Sequence, residues 1–141
     1  MRKRSGARAI AVVGLTLFSL TGCVAEHGPL DTASTQLDVL PAVVETSGDT
    51  SIDADSVRYQ GADAEGADYY AAKAQGKDSR AVVCLVVVVS STGEWLQACG
   101  DQLRITVTFA NRTAVLHPSA PVGELDGEMV GEFVNVQFPG T

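Results

Sequence analysis

The chain has 141 residues, with 10 Lys or Arg against 17 Asp or Glu and a net charge of −7. This length allows one compact domain rather than two, and the acidic balance excludes a nucleic-acid backbone as partner, which needs clustered Lys and Arg. At 45% hydrophobic residues the whole cannot be an acidic disordered tail.

The first 22 residues carry Arg2, Lys3, Arg4 and Arg8 and no acid; the 119 residues that follow have a net charge of −11, four positive charges having gone with the leader. After the basic start comes an apolar run, Ala9 to Leu20, and then Leu20-Thr21-Gly22-Cys23. The run is too short for a bilayer-spanning helix, which needs about 20 residues, and its layout is that of a secretory signal peptide. The Leu-Thr-Gly-Cys ending, with a small residue just before Cys23 and Leu20 three before it, resembles the lipobox of bacterial lipoproteins. That resemblance implies a cleaved signal peptide over residues 1–22, a diacylglycerol on the Cys23 thiol, and a lipid anchor on the outer face of the cytoplasmic membrane. Two or three acyl chains suffice for stable anchoring where one does not.

Three cysteines are present, Cys23, Cys84 and Cys99. If lipid consumes the first, the other two remain as a pair in an oxidising compartment. Residues 23–54 read as the lipidated cysteine and a mostly disordered tether, because residues 24–51 are rich in small and polar residues and lack Lys and Arg. Within it the apolar stretch Leu37 to Val44 is expected to touch the domain as a short helix or strap, with Pro41 at a helix start or a bend.

Residues 55–141 read as a β-domain. Ser56–Gly61 alternates as a strand; Ala67–Ala74 follows the acidic turn Asp63–Gly66, and its Tyr69-Tyr70 pair favours strand over helix. Gly76-Lys77-Asp78 is a turn. Cys84–Val89 is β-branched and apolar, the composition of a strand buried on both faces. Ser90–Gly93 is a turn cluster, and Glu94–Cys99 returns as the partner. Antiparallel counting with Val89 facing Glu94 puts Cys84 opposite Cys99, within about 5 Å at Cβ, so hairpin and disulfide require the same register. Trp95 is expected to pack beside that disulfide. Leu103–Phe109 alternates with Leu, Ile, Val and Phe inward and Arg and Thr outward. Asn111-Arg112 then turns the chain into a short partner, Thr113–Leu116. Pro118–Asp126 is loop, and Met129–Phe138 is a last strand with a bulge at Gly131. About seven short strands at close spacing make an all-β fold, a small sandwich or curled antiparallel sheet.

The mature part also resembles a group of small exported or lipid-anchored domains of high-GC Gram-positive bacteria, in Asp38-Val39-Leu40-Pro41, Tyr69-Tyr70-Ala71-Ala72, Val83-Cys84-Leu85, Trp95 with Cys99-Gly100, and Val130-Gly131 with Val134-Asn135-Val136. The group has no assigned function, so the resemblance implies no catalytic activity.

Chemistry-bearing residues are sparse. His27 reads as a linker residue and His117, before Pro118, as a loop histidine; with no second histidine near either, zinc ligation is not indicated. No nucleophile elbow occurs. Cys84 and Cys99 lack the Cys-x-x-Cys spacing of a redox pair. Three acidic loops, with Asp49, Asp53 and Asp55, with Asp63, Glu65 and Asp68, and with Glu124, Asp126 and Glu128, collect oxygen ligands of the kind Ca²⁺ takes. None has EF-hand spacing, and each reads more simply as a solvated turn. No catalytic residue, metal or cofactor is therefore assigned. The expectation is a lipid-anchored extracytoplasmic binding or interaction module whose protein or small-ligand partner is unknown. A small envelope enzyme working through paired carboxylates, or a purely structural surface lipoprotein, is the alternative. A concave site with two converging acids would favour the enzyme.

Overall fold

The computed structural model describes residues 27–45, 51–76, 78–101 and 104–140. The expected signal peptide over residues 1–22, Cys23, Asp49, Lys77 and Leu103 lie outside the described residues.

Two antiparallel sheets form the domain, as the alternating and apolar runs imply. The first sheet contains β1 (Ser51–Ile52), β2 (Arg58–Ala62), β3 (Ala67–Gln75), β4 (Ala81–Val89) and β5 (Glu94–Gly100). Both β1 and β2 lie along one edge of β3, separated by a single 3₁₀ turn at Ala54–Ser56, and β4 and β5 follow on its other side. The second sheet has β6 (Ile105–Phe109), β7 (Arg112–Leu116), β8 (Glu128–Val130) and β9 (Val134–Gln137) in the order β6-β7-β9-β8. The nine strands among the described residues exceed the expected seven for two reasons. The two-residue β1 is too short to leave a pattern, and Met129–Phe138 is a hairpin rather than a single bulged strand.

Gly131 opens that hairpin's loop at φ 61°, and a Cβ there would collide with the Gln60 backbone carbonyl. The position therefore needs glycine twice over, for backbone angle and for space.

Strand β4 lies between two apolar clusters. Leu85, Val87 and Val89 face the second sheet in the main core, with Tyr69, Val107, Leu116, Phe133 and Val136. Val86 and Val88 face the opposite way, with Tyr70 and Ala72, and are covered by Leu40, Val44 and Val57. This is why the run lacks alternation: neither face of the strand is wet.

The cover on the outer face comes from Leu40, from Val44 in the one-turn helix α1 (Ala42–Glu45), and from Val57. The contact expected over Leu37–Val44 is made by Leu40 and Val44, which are buried. The described remainder of the expected tether also lies on the domain, so the border drawn at residue 55 runs through packed structure. Hydrogen bonds to β2 explain why this polar segment docks. One N–H of the β2 edge, that of Tyr59, donates to Asp38 Oδ1 at 2.7 Å, and two β2 side chains reach the segment's carbonyls, Arg58 Nε to Thr32 at 3.0 Å and Gln60 Nε2 to Pro29 at 3.1 Å. Burial opposes ionisation of Asp38, but hydrogen bonds from the Tyr59 and Thr35 amides, with the Arg58 charge nearby, hold its carboxyl below the usual range.

Candidate functional site

The cysteine register follows the counting argument. Val89 pairs with Glu94 and Cys84 with Cys99, and Cys84 and Cys99 form a disulfide with Cα atoms 4.0 Å apart. Gly93 closes the four-residue loop at φ 71°. Trp95 is not beside the disulfide. It faces Val88 at the opposite end of the hairpin and packs against the outer cluster, because four residues of extended strand separate it from Cys99 by about 13 Å.

The next pair along the hairpin, Val83 and Gly100, lies in the wall of a cleft between the two sheets. The disulfide thus clamps the two strands that form one side of it. The cleft encloses about 320 Å³. Its inner wall is apolar: Leu30 and Val83 are partly buried, and Ile105 and Leu116 are buried. The Gly28–Asp31 turn forms another side, held by the Asp31 N–H donating to the Gly28 carbonyl at 3.0 Å and the Gly28 N–H donating to Asp31 Oδ2 at 2.8 Å. Apolar walls with a few polar groups at the edge are the general form of a small-ligand site.

The edge carries Asp31, Lys73, Asp101 and His117. His117 fixes its backbone through its N–H, which donates to the Phe133 carbonyl at 2.8 Å. Its ring Nε2 is buried and has no hydrogen-bond partner among the described residues. Burial, with a smaller contribution from the Arg104 charge, pushes its pKa below the ordinary histidine value, so the ring is neutral at pH 7. Of the two acids of the edge, Asp31 Oδ2 accepts the Gly28 amide, and Asp101 lies 3.9 Å from Arg80 Nη1 with both side chains largely exposed.

His27 is not a free linker residue. Its Nε2 lies 3.2 Å from Glu132 Oε2, and its ring stands edge-on to Phe133 with centroids 5.7 Å apart. That pair fixes the chain just before the cleft wall begins.

The acidic loops are put to structural use. Asp53 caps the 3₁₀ turn, its Oδ1 accepting from the Asp55 N–H at 3.1 Å. Asp63 is no solvated turn residue: its side chain is fully buried, its Oδ1 accepts from the Glu65 and Ala67 amides, and its Oδ2 accepts the Tyr69 hydroxyl at 2.6 Å. Asp68 turns to the other face, where Tyr59 and Ser90 donate to it at 2.9 and 2.6 Å. Glu128 accepts from the Ala64 amide at 3.2 Å, tying the turn to β8. Among the described residues no three of His, Cys, Asp or Glu gather as a metal would require.

Sequence reasoning missed the partner of Asp63. Arg112, read as a turn residue, is the first residue of β7 and is buried. The turn is Ala110-Asn111, both at positive φ, between the facing pair Phe109 and Arg112. A two-residue loop of this kind matches the natural twist of a hairpin. Arg112 Nε lies 3.0 Å from Asp63 Oδ2 without the alignment of a hydrogen bond, Nη2 donates to Glu65 at 3.3 Å, and the guanidinium carbon stands 5.8 Å from the Phe138 ring centroid. This cluster joins the Asp63 turn of the first sheet to β7 of the second, at the far end of β3 from the cleft's Lys73. The one signal for it was the spacing itself: Ala110-Asn111 as the loop would have placed Arg112 on the strand.

No family model, curated protein or solved structure matches this chain.

Proposed function

We propose that the protein is an extracytoplasmic module held at the outer face of the cytoplasmic membrane by lipid on Cys23, and that it binds a partner rather than transforming one. The observation that carries the binding half is the apolar cleft between the sheets, walled by Leu30, Val83, Ile105 and Leu116. Support for export comes from the basic leader, the Leu20-Thr21-Gly22-Cys23 ending and the Cys84–Cys99 disulfide, since such bonds persist in oxidising compartments.

The test is expression of the whole chain in a bacterium that acylates exported cysteines, followed by membrane fractionation and mass spectrometry of the N-terminal peptide. The expected product begins at an acylated Cys23 and sediments with membranes, while Cys23→Ser appears in the soluble fraction. A wild-type protein that keeps its leader, or sediments equally well with Cys23 replaced, contradicts the anchor.

A further inference from the structure

We propose that two copies of this chain join through β6, the free edge of the second sheet, the two strands pairing antiparallel about a two-fold axis at Val107. The inference goes beyond the anchored reading and does not rest on it.

Backbone geometry fixes what this edge offers. Among the described residues β6 pairs with β7 and with no other strand. Phe109 and Arg112 flank the two-residue loop, and the closing pair of such a hairpin is hydrogen-bonded. The alternation of an antiparallel ladder then turns the backbone groups of Ile105, Val107 and Phe109 toward β7. It leaves the N–H and C=O of Thr106 and Thr108 pointing away from the sheet. Both threonines are exposed. Other edges are blunted: Asp38 takes the Tyr59 N–H on β2, and β8 is only three residues long. Strand β6 has no Lys, no Pro and no bulge, the devices that keep an edge from pairing.

The residues of the edge select a second copy as its occupant. Ile-Thr-Val-Thr-Phe is nearly symmetric in residue type about Val107. Set antiparallel on itself, it places Thr106 of each copy opposite Thr108 of the other, and Ile105 opposite Phe109. The outward backbone groups of the two threonines then meet, and four N–H···O=C bonds form across the axis. Their side chains meet on the wet face, where Thr–Thr pairs are favourable. Buried Ile105 and Val107 and half-buried Phe109 continue the apolar face from one copy into the next. Such an interface is isologous and closes at two copies.

Charge and exposure on this side agree. The chain is acidic, yet residues 104–117 hold Arg104 and Arg112 and no acid, so two copies meet where repulsion is least. On β5, the edge strand of the other sheet, Leu96 faces Val87 of the main core and so turns toward the second sheet, but it stays 40% exposed. The sandwich is therefore open at this edge, and a second copy covers apolar surface there. Five-residue edges bury less than a permanent interface needs, so the dimer belongs to the weak class.

The test is sedimentation equilibrium of the exported Cys23→Ser chain, which carries no acyl group to drive micelle formation. Reversible dimerisation with a Kd on the order of 100 μM is expected at physiological salt. In the unmutated edge, the amides of Thr106 and Thr108 should exchange with solvent more slowly as protein concentration rises through that value. Thr106→Lys with Thr108→Lys puts like charges opposite each other across the axis, and should weaken the dimer about tenfold or more. Thr106→Glu with Thr108→Glu should do the same alone. Mixed in equal amounts, the lysine and glutamate chains should recover a one-to-one complex, because each Lys then faces a Glu. A chain that stays monomeric at about 1 mM, tenfold above the expected Kd, would overturn the inference. So would amides of Thr106 and Thr108 that exchange at the same rate throughout, or charge variants that are folded by circular dichroism and do not recombine. None of these results bears on whether Cys23 is acylated, which fractionation decides separately.

Discussion

Replacing Arg112 by Met tests whether the buried ion cluster is what joins the two sheets. The side chains of Arg112 and Asp63 are 4% and 0% exposed, so the substitution leaves a carboxylate in the interior with its counter-charge gone. Breaking a buried pair from one side costs about 3–5 kcal/mol. The lower end applies here, because Asp63 keeps the Tyr69 hydroxyl and the Glu65 and Ala67 amides, and Met retains an apolar contact with Phe138. At about 4–8 °C per kcal/mol for a domain of this size, the melting midpoint should fall by roughly 12–25 °C. Asp63→Asn in the same background removes the stranded charge while keeping the shape, and should recover at least half of the loss. The assay is denaturant unfolding of the oxidised protein, followed by Trp95 fluorescence and by circular dichroism as independent probes. The double-mutant cycle should give a coupling of about 2 kcal/mol. A loss below about 1 kcal/mol for Arg112→Met, or additive effects of the two changes, would refute the account of Arg112 as the counter-ion of Asp63.

Three further outcomes are expected. All three tyrosines have raised pKa values: burial and the Asp68 hydrogen bond push Tyr59 up to about 12, burial and Asp63 raise Tyr69 further, and burial with the Asp68 charge raises Tyr70. Ultraviolet titration should therefore find no phenolate forming near pH 10 in the folded protein. Stability, complete below the unfolded value of about 10, should fall as pH rises above it; a tyrosine titrating normally in the native state would contradict the burial described. His117 has the opposite sign: its folded pKa is lowered, so its contribution is complete above an unfolded value of about 6.5 and shrinks as pH falls through it. Denaturation midpoints measured across pH 7.5 to 5 should show this slope, and His117→Phe should flatten it. Gly131→Ala forces a side chain into φ 61° against the Gln60 carbonyl and should destabilise by about 2 kcal/mol or more; an unchanged midpoint would mean that the hairpin loop can move away.

Legibility from sequence tracked the locality of each feature. The register of the β4–β5 hairpin was readable to the residue, because strand period, turn chemistry and two cysteines all fix it, although β4 begins three residues before Cys84, at Ala81. Strands β3 and β6 were readable through aromatic content and alternation. Arg112 was misplaced by one residue, and a one-residue slip exchanges turn for core; its burial depends on Asp63, 49 positions earlier, and no periodicity reports such a pairing. The packing of residues 27–36 was likewise hidden, since it rests on backbone carbonyls that any sequence possesses. The cleft is assembled from Leu30, Lys73, Val83, Ile105 and His117, residues scattered along the chain that only the meeting of two sheets brings together.

The double covering of β4 has a consequence for the order of assembly. Residues 27–45 are synthesised before any strand they cover. They must wait, undocked, until β3 and β4 have paired and offered them a surface. During that interval Tyr70, Val86 and Val88 form a bare greasy face, and a second unfinished chain is the obvious thing to land on it. The acidic charge of the chain acts at that moment too, when mutual repulsion keeps nascent copies apart until each has drawn its own N-terminal segment across.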